Sequence, residues 1–158
     1  MKIDEQVESG DRLQIEKLFE KSGFFYPFEV GVVMDLFEET LQKGSSRSGY
    51  YWLKATENDT ITGIAVYGPN PCTFHSWDLY WMAVDPEHKN QGRGTTLLLK
   101  TEEKARDMGG KILWIETSGR KLYEPTVAFY HRKGYVLTAT LPEYYGPGDP
   151  KIIFSKIL

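Results

Sequence analysis

A strand, a glycine-containing loop and a helix follow one another over residues 84–99, and this succession constrains the fold more than any other part of the chain. An apolar run ends at a proline, the polar loop Lys89–Gly94 comes next, and apolar residues recur at helical spacing after Thr95. Glycines let the main chain approach a ligand, and the first N–H groups of a helix attract anions. Lys89 and Arg93 add positive charge. The loop therefore predicts a pyrophosphate site, and a capped surface turn is the alternative.

The elements on either side of this loop predict where a ligand would bind. Helical spacing indicates a helix from Thr95 to Met108 that buries Leu98, Ala105 and Met108, and the apolar run Ile112–Ile115 indicates a buried strand. Strand, helix and strand in this order form a right-handed crossover between parallel strands. Ligands bind at the carboxyl end of such strands, which is the position of the loop.

The rest of the chain reads as alternating strands and helices of a single α/β (α+β) domain over residues 1–158. The patterns predict strands over 2–7, 50–55, 61–67, 74–84, 135–140 and 152–156, and loops over 44–49 and 141–150. They predict helices over 11–21 and 125–133, and between these a helix that is marked by apolar residues over 30–41 and ends before Gly44. No internal repeat or long linker divides the chain.

Composition narrows the classes of function. A chain of 158 residues with a net charge of −3 and no basic cluster argues against nucleic acid as the main partner. Cys72 is the only cysteine and the three histidines lack metal-ligand spacing, so neither a disulfide nor a metal is expected. The sequence shows no membrane-spanning run and no signal peptide, which predicts no membrane partner and a cytoplasmic location.

Two common phosphate-binding motifs are excluded. The loop lacks the Gly-Lys-Ser/Thr ending of the Walker motif, and Leu97 stands where a dinucleotide fingerprint needs its third glycine. The loop Lys89–Gly94 instead resembles the acyl-CoA pyrophosphate loop of the GNAT (Gcn5-related) N-acetyltransferases, which reads Gln/Arg, two residues, Gly, one residue, Gly/Ala. Lys89 departs from the first position of that pattern. The stretch Phe129–Tyr135 resembles the second family signature, Phe-Tyr followed by Gly-Phe.

The resemblance extends over the whole chain in element order and implies a fold and a donor. The implied GNAT fold is a mixed central sheet of six to seven strands flanked by about four helices, with acetyl-CoA at the splayed central parallel strands. Acetyl-CoA is the implied co-substrate, with no metal. Its contacts are implied at the main chain of Met82, Ala83 and Val84, at the pyrophosphate loop Lys89, Asn90, Gln91, Gly92, Arg93, Gly94 and Thr95, and at Tyr130.

The resemblance also implies catalytic residues. Tyr130 matches the tyrosine that protonates the leaving thiolate in many members, and a hydroxyl that only holds coenzyme A is the alternative. Glu116 matches the base of ribosomal-protein N-terminal acetyltransferases, and Asp78 occupies the position of the base in the histone-acetylating branch. Glu116 is favoured here, and a water chain is the third option.

The acceptor is expected to be a primary amine, either of a small molecule or of a peptide N-terminus. Aromatic residues of the connector after the first helix and of the loop before the last strand would hold it, together with the carboxylates of Glu143 and Asp149. A non-catalytic acyl-CoA-binding or sensing domain is the alternative function, and the sequence leaves open a homodimer, the length of the acyl group and the acceptor's identity. The predicted acceptor-binding residues are Phe24, Phe25, Tyr80, Tyr144 and Tyr145.

Overall fold

Seven strands and five α-helices succeed one another in the computed structural model, which describes residues 1–158. The strands are β1 (Lys2–Asp4), β2 (Tyr51–Glu57), β3 (Thr60–Pro69), β4 (Ser76–Val84), β5 (Ile112–Ser118), β6 (Val136–Gly146) and β7 (Asp149–Ile157). The helices are α1 (Arg12–Ser22), α2 (Pro27–Lys43), α3 (Ser45–Ser48), α4 (Arg93–Asp107) and α5 (Glu124–Arg132). The strand order is β1-β2-β3-β4-β5-β7-β6, in which β4 and β5 are parallel. This is the mixed sheet that the sequence predicted.

The chain divides into two compact units, and β4 contributes to both. The first unit comprises residues 1–68 and 80–104, and the second comprises residues 69–79 and 105–158. Chain connectivity within β4 therefore links the two units. The prediction of a single domain over residues 1–158 stays a prediction.

In the first unit, the amphipathic helices α1 and α2 pack against the sheet. Gly23 ends α1 in the left-handed region with φ 77°, and Pro27 begins α2, where its missing N–H costs no hydrogen bond. Burying one face of each helix removes large apolar side chains from water, which is the main stabilising contribution here. The core of this unit is Ile15, Leu18, Phe19, Val30, Val33, Met34, Phe37, Trp52, Ile61, Ile64, Val66 and Ala83.

In the second unit, alternation along the strands separates a buried face from a more open one. Trp77 and Leu79 of β4, Leu113 and Ile115 of β5, and Phe154 of β7 are buried. The intervening residues belong to the opposite face, because successive side chains of a strand alternate. That face carries Ser76, Asp78, Trp114, Glu116 and Ile153, which line a cavity of about 340 Å³.

The structure corrects several boundaries predicted from sequence. Residues 141–150 are not a loop, because β6 runs to Gly146 and β7 begins at Asp149. Residues 44–49 contain the short helix α3, and α4 begins at Arg93 rather than Thr95. Met108 is 40% exposed and follows the last helical residue, so it does not belong to the buried face.

Two further observations concern the whole chain. None of the helices combines the length and the apolar character needed to span a bilayer. No group of three or more His, Cys, Asp or Glu side chains is arranged to hold a metal ion.

Candidate active site

The segment that follows β4 is fixed by a buried aspartate. Asp85 accepts a hydrogen bond from the Glu87 N–H at 2.8 Å, which caps a single 3-10 turn, and its other oxygen lies 3.2 Å from the Lys21 ammonium. Burial alone would raise the pKa of Asp85, but the hydrogen bond from Glu87 and the charge of Lys21 outweigh it and lower that pKa. The carboxylate therefore remains ionised and holds the chain in place before the glycine loop.

The start of α4 offers main-chain donors. The first intrahelical hydrogen bond runs from the Thr96 N–H to the Gly92 carbonyl at 2.9 Å, so the N–H groups of Arg93, Gly94 and Thr95 precede it. Gly92 has φ 81°, a conformation that other residues rarely adopt, and no atom lies within 4 Å of where its Cβ would be. An open approach to three helix-terminal N–H groups fits the pyrophosphate that the sequence predicted.

Arg93 does not present its charge to this opening. Its side chain is buried, donates to the Thr62 hydroxyl at 3.2 Å and to the Gln91 side-chain oxygen at 2.5 Å, and pairs with Glu57. Thr62 is the extra residue of a bulge in the β2/β3 pairing, so it has no partner across the ladder and its hydroxyl accepts from the guanidinium. The expected free charge of Arg93 is therefore neutralised internally, where it ties the loop to β2 and β3.

Lys89 and the end of β4 are the other positions at which the sequence predicted contacts with the donor. Lys89 is exposed, and its ammonium lies 4.7 Å from the centre of the Phe24 ring. The pairing of β4 with β5 ends at Leu79 and Ile115, although β4 continues to Val84. The main chain of residues 82–84 thus lies beyond the β4/β5 ladder.

Asp78 is one of the two candidate bases, and it is half-buried. The Asn70 side-chain amide donates to its Oδ2 at 2.6 Å, whereas its Oδ1 has no partner. Burial raises the pKa of Asp78, the Asn70 hydrogen bond lowers it, and the negative charge of Glu116 raises it again, with a net upward shift. The carboxyl therefore binds a proton more readily than an ordinary aspartate.

Glu116, the other candidate base, lies on the neighbouring strand and faces the same cavity. Its side chain is 51% exposed and pairs with Lys151 at 2.6 Å. Burial alone would lower the pKa of Lys151, but hydrogen bonds to Glu116 and Tyr144 raise it. Lys151 therefore stays positively charged and forms an ion pair with Glu116. Asp78 has no such counter-ion.

Tyr130 is buried on α5 among aromatic rings. Its ring centre lies 5.3 Å from that of Phe129 and 5.7 Å from those of Tyr135 and Phe154. Its hydroxyl makes no hydrogen bond to the protein, and burial raises its pKa. The phenol therefore keeps its proton at neutral pH, and its O–H is available to donate a hydrogen bond.

The predicted acceptor residues lie in four separate environments. Phe25 packs on Phe19 and Trp81, with ring centres 5.2 and 5.5 Å apart, and so contributes to the core of the first unit. Phe24 contacts Lys89, and Tyr80 packs on Tyr50 at 5.5 Å. Tyr144 and Tyr145 are about half-exposed beside Lys151. The distances from the Lys151 ammonium to the ring centres of Tyr144 and Tyr145 are 3.8 and 5.7 Å.

The two carboxylates expected to bind a cationic acceptor have other partners. Glu143 accepts a hydrogen bond from the Gly148 N–H at 3.1 Å, which closes the turn between β6 and β7. Asp149 accepts a hydrogen bond from the Ser118 hydroxyl at 2.5 Å and pairs with Arg120 at 3.2 Å. Asp149 is therefore compensated and buried, and the two carboxylates that line the cavity are Asp78 and Glu116.

Sequence reasoning missed Asn70, Trp114 and Lys151. Asn70 belongs to a Pro/Asn stretch that reads only as a turn, and Trp114 belongs to an apolar strand. Lys151 precedes an apolar run and carries no motif. Period-two alternation in β5 and β7 could have placed Trp114 with Glu116 and Lys151 with Ile153, but only the register between strands brings these pairs together.

Comparisons with known proteins agree with this geometry. Residues 14–135 match the model of the acetyltransferase (GNAT) family. A crystal structure from Desulfovibrio desulfuricans, described as an acetyltransferase of the GNAT family, superposes with a TM-score of 0.95 and is 40% identical over 99% of this chain and 98% of that chain. A curated relative, the S-alkylcysteine N-acetyltransferase of Bacillus subtilis (strain 168), is 39% identical over 83 residues, or 51% of this chain. The matched segment spans 44% of that relative's length.

More distant structures share the fold. The ribosomal-protein-alanine N-acetyltransferase of Brucella melitensis has a TM-score of 0.80 and 21% identity over all of both chains. An aminoglycoside 6'-N-acetyltransferase in complex with coenzyme A has the same TM-score of 0.80 and 21% identity, over 99% of this chain and 97% of that chain. GNAT acetyltransferases use acetyl-CoA as the acetyl donor. Since the family model covers more than half of the chain, the protein belongs to the GNAT family of acetyltransferases.

Proposed function

We propose that the protein transfers the acetyl group of acetyl-CoA to a primary amine in a ternary complex. The observation that carries this proposal is the start of α4, where the N–H groups of Arg93, Gly94 and Thr95 follow the left-handed Gly92 in a chain of the GNAT family. Three donors at a helix N-terminus suit a pyrophosphate. Acetyl-CoA supplies an activated thioester carbonyl.

Main-chain groups would do most of the donor binding. The N–H groups of Gly92–Thr95 would bind the pyrophosphate, and the main chain of Met82–Val84 would hold the pantetheine arm. Among side chains, the exposed ammonium of Lys89 is better suited to add charge than the internally paired Arg93. Gln91 would act indirectly, since its side-chain oxygen accepts a hydrogen bond from Arg93.

Deprotonation of the amine falls most naturally to Asp78. A primary amine is protonated near neutral pH and must lose a proton before it attacks a carbonyl. Asp78 has one oxygen without a partner and a raised pKa, whereas Glu116 is compensated by Lys151. The sequence favoured Glu116; the ion pair moves the proposal to Asp78, and a water between the amine and Asp78 would serve the same route.

Tyr130 would complete the reaction as the acid. The amine nitrogen forms a bond to the acetyl carbon, the carbon–sulfur bond breaks, and the electron pair leaves on sulfur. The hydroxyl of Tyr130 would donate a hydrogen bond to that sulfur as its charge develops. It would then pass to the sulfur the proton that the attacking nitrogen must lose to become an amide, so that the thiol forms and no phenolate remains. Its hydroxyl has no competing acceptor in the protein.

The acceptor would be a small molecule or a peptide N-terminus carrying a primary amine. The cavity beside Asp78 has a volume of about 340 Å³, at the lower end of the range for small-ligand sites, which is about 300–1,000 Å³. Trp114 and Ile153 give it apolar surface, and Asp78 and Glu116 give it negative charge. S-alkylcysteine, the acceptor in the name of the Bacillus subtilis relative, is the first compound to test.

Two measurements test the proposal. Calorimetry should detect acetyl-CoA binding, and a screen of primary amines should give acetyl-CoA-dependent release of thiol. The screen is best run on the Cys72→Ser variant, because Cys72 is an exposed thiol that would react with the detection reagent. Absence of acetyl-CoA binding at millimolar concentration refutes the proposal. Binding without turnover of any amine would favour an acyl-CoA sensor.

A further inference from the structure

Asn70 is held firmly on the loop that joins β3 to β4. Its main-chain N–H donates to the Ser76 carbonyl at 2.8 Å, and its own carbonyl accepts from the Thr73 hydroxyl at 2.8 Å. The Ser76 hydroxyl in turn accepts from the Trp114 indole N–H at 3.2 Å. These contacts fix the Asn70 backbone on both sides, so its side-chain amide reaches Asp78 from a defined position.

The Asn70 amide leaves Asp78 with two unequal oxygens. Oδ2 accepts the amide hydrogen bond at 2.6 Å, and Oδ1 accepts none. An ionised carboxylate only accepts hydrogen bonds, so the contact restrains rotation of the carboxyl group while it stays charged. Asp78 and Asn70 both line the cavity. An acceptor in this cavity would therefore lie beside the restrained carboxylate.

The charges around Asp78 bear on how much the Asn70 contact affects its protonation. Glu116 of β5 lines the same cavity and disfavours a second negative charge, and its counter-ion is Lys151 of β7. Glu116 is the one other ionisable residue that lines this cavity. Burial and the charge of Glu116 both raise the pKa of Asp78, and the hydrogen bond from Asn70 lowers it.

We propose that Asn70 is a positioning residue for acetyl transfer, because it holds Oδ2 of Asp78 and leaves Oδ1 to take the proton of the acceptor amine. The inference rests on the proposed function. In this step an N–H bond of the ammonium breaks, an O–H bond forms at Oδ1, and the nitrogen lone pair becomes available for attack. Asn70 acts through Asp78 and takes no proton itself.

A titration of Asp78 tests the contact without acetyl-CoA or turnover. Carboxyl carbon NMR of protein labelled at aspartate, with the Asp78→Asn variant to assign the signal, gives the midpoint directly. Asn70→Ala removes the donor and should move the midpoint to higher pH, and Asn70→Asp adds a like charge and should move it further. Cys72→Ser, on the same loop, should leave it unmoved. Equal midpoints in all variants would overturn the proposal.

The pH dependence of kcat/KM tests the role in transfer. Asn70→Ala should move the acid limb to higher pH, and each unit of that shift lowers kcat/KM on the limb about tenfold. A loop that was merely loosened would lower the rate at every pH without moving the limb, which contradicts the proposal. If wild type releases no thiol with any amine, the proposed function fails and this role fails with it. If wild type is active and the limb stays in place, only the role of Asn70 fails.

Discussion

Replacing Gly92 by alanine tests whether the loop before α4 is held in one conformation for its ligand. Gly92 has φ 81°, and a Cβ there would meet no atom within 4 Å, so alanine adds backbone strain without a clash. The left-handed conformation costs a residue with a side chain about 1–2 kcal/mol. The exposed loop can relieve that strain by moving away from its wild-type conformation.

The expected change in acetyl-CoA affinity depends on whether the strain is present in the free or in the bound variant. In the free alanine variant the loop relaxes to an unstrained conformation. If acetyl-CoA binds only the wild-type conformation, the loop must return to it on binding, and the strain energy is then subtracted from the binding free energy. Since about 1.4 kcal/mol corresponds to a tenfold change in affinity, a strain of about 1–2 kcal/mol weakens acetyl-CoA binding by about five- to thirtyfold. Calorimetric titration with acetyl-CoA resolves a change of this size.

Gly109 provides a matched control at the other end of α4. It has φ 91°, and its Cβ would also meet no atom within 4 Å, so Gly109→Ala introduces similar strain. That variant should lose thermal stability by a few degrees, about 2–4 °C for each kcal/mol, yet bind acetyl-CoA as wild type does. Unchanged affinity in Gly92→Ala, or equal weakening in both variants, would refute the reasoning.

Three further changes test other parts of the site. Tyr130→Phe keeps the buried ring but removes the acid, so kcat should fall by about 10²–10⁴ while the calorimetric affinity for acetyl-CoA stays the same; a fall in affinity alone would indicate a binding role. Glu57→Gln leaves a buried guanidinium uncompensated and should lower the free energy of unfolding in urea by about 3 kcal/mol; a neutral effect would mean that the guanidinium reaches water. Lys151→Met removes the counter-ion of Glu116, which raises the pKa of Asp78 and should move the acid limb of kcat/KM to higher pH; an unmoved limb would exclude Asp78 as the titrating group.

The sequence predicted the family fold because its strongest signals are local. The glycine loop between an apolar strand and an amphipathic helix, and the Phe129–Tyr135 stretch after a buried strand, are both readable within a few residues. The mixed sheet and the family are confirmed by the structure and the comparisons. The roles of Tyr130, Asp78 and Glu116 stay predictions.

The sequence could not predict the partners of single charged side chains. Arg93 reads as an anion ligand from its place in the loop, but the extra residue Thr62 and the neighbouring Glu57 draw it inward. Asp149 reads as a free carboxylate, but the pairing of Ser118 with Lys151 between β5 and β7 brings it within hydrogen-bond distance of the Ser118 hydroxyl. Both outcomes depend on contacts between elements far apart in the chain, which a local pattern does not encode.

The sequence pattern did not predict the hairpin end of β6 and β7, because the pairing of these strands is irregular there. Pro142, Gly146 and Gly148 predict a loop, yet β6 is an edge strand, where a missing N–H need not break a ladder. Leu141 pairs with Lys151 and Gly146 with Asp149, so residues 142–145 face the single residue Pro150. This four-residue bulge carries Tyr144 and Tyr145, the pair that lies beside Lys151.

The same bulge bears on how the molecule behaves at high concentration. An uninterrupted edge strand is a template on which another chain can add, and proteins commonly block such growth with proline, charge and bulges. β6 has all three at Pro142, Glu143 and the bulge over residues 142–145, and a second register shift lies between Leu137 and Ala139. The bulge that carries two acceptor-binding candidates thus also protects the edge strand from aggregation.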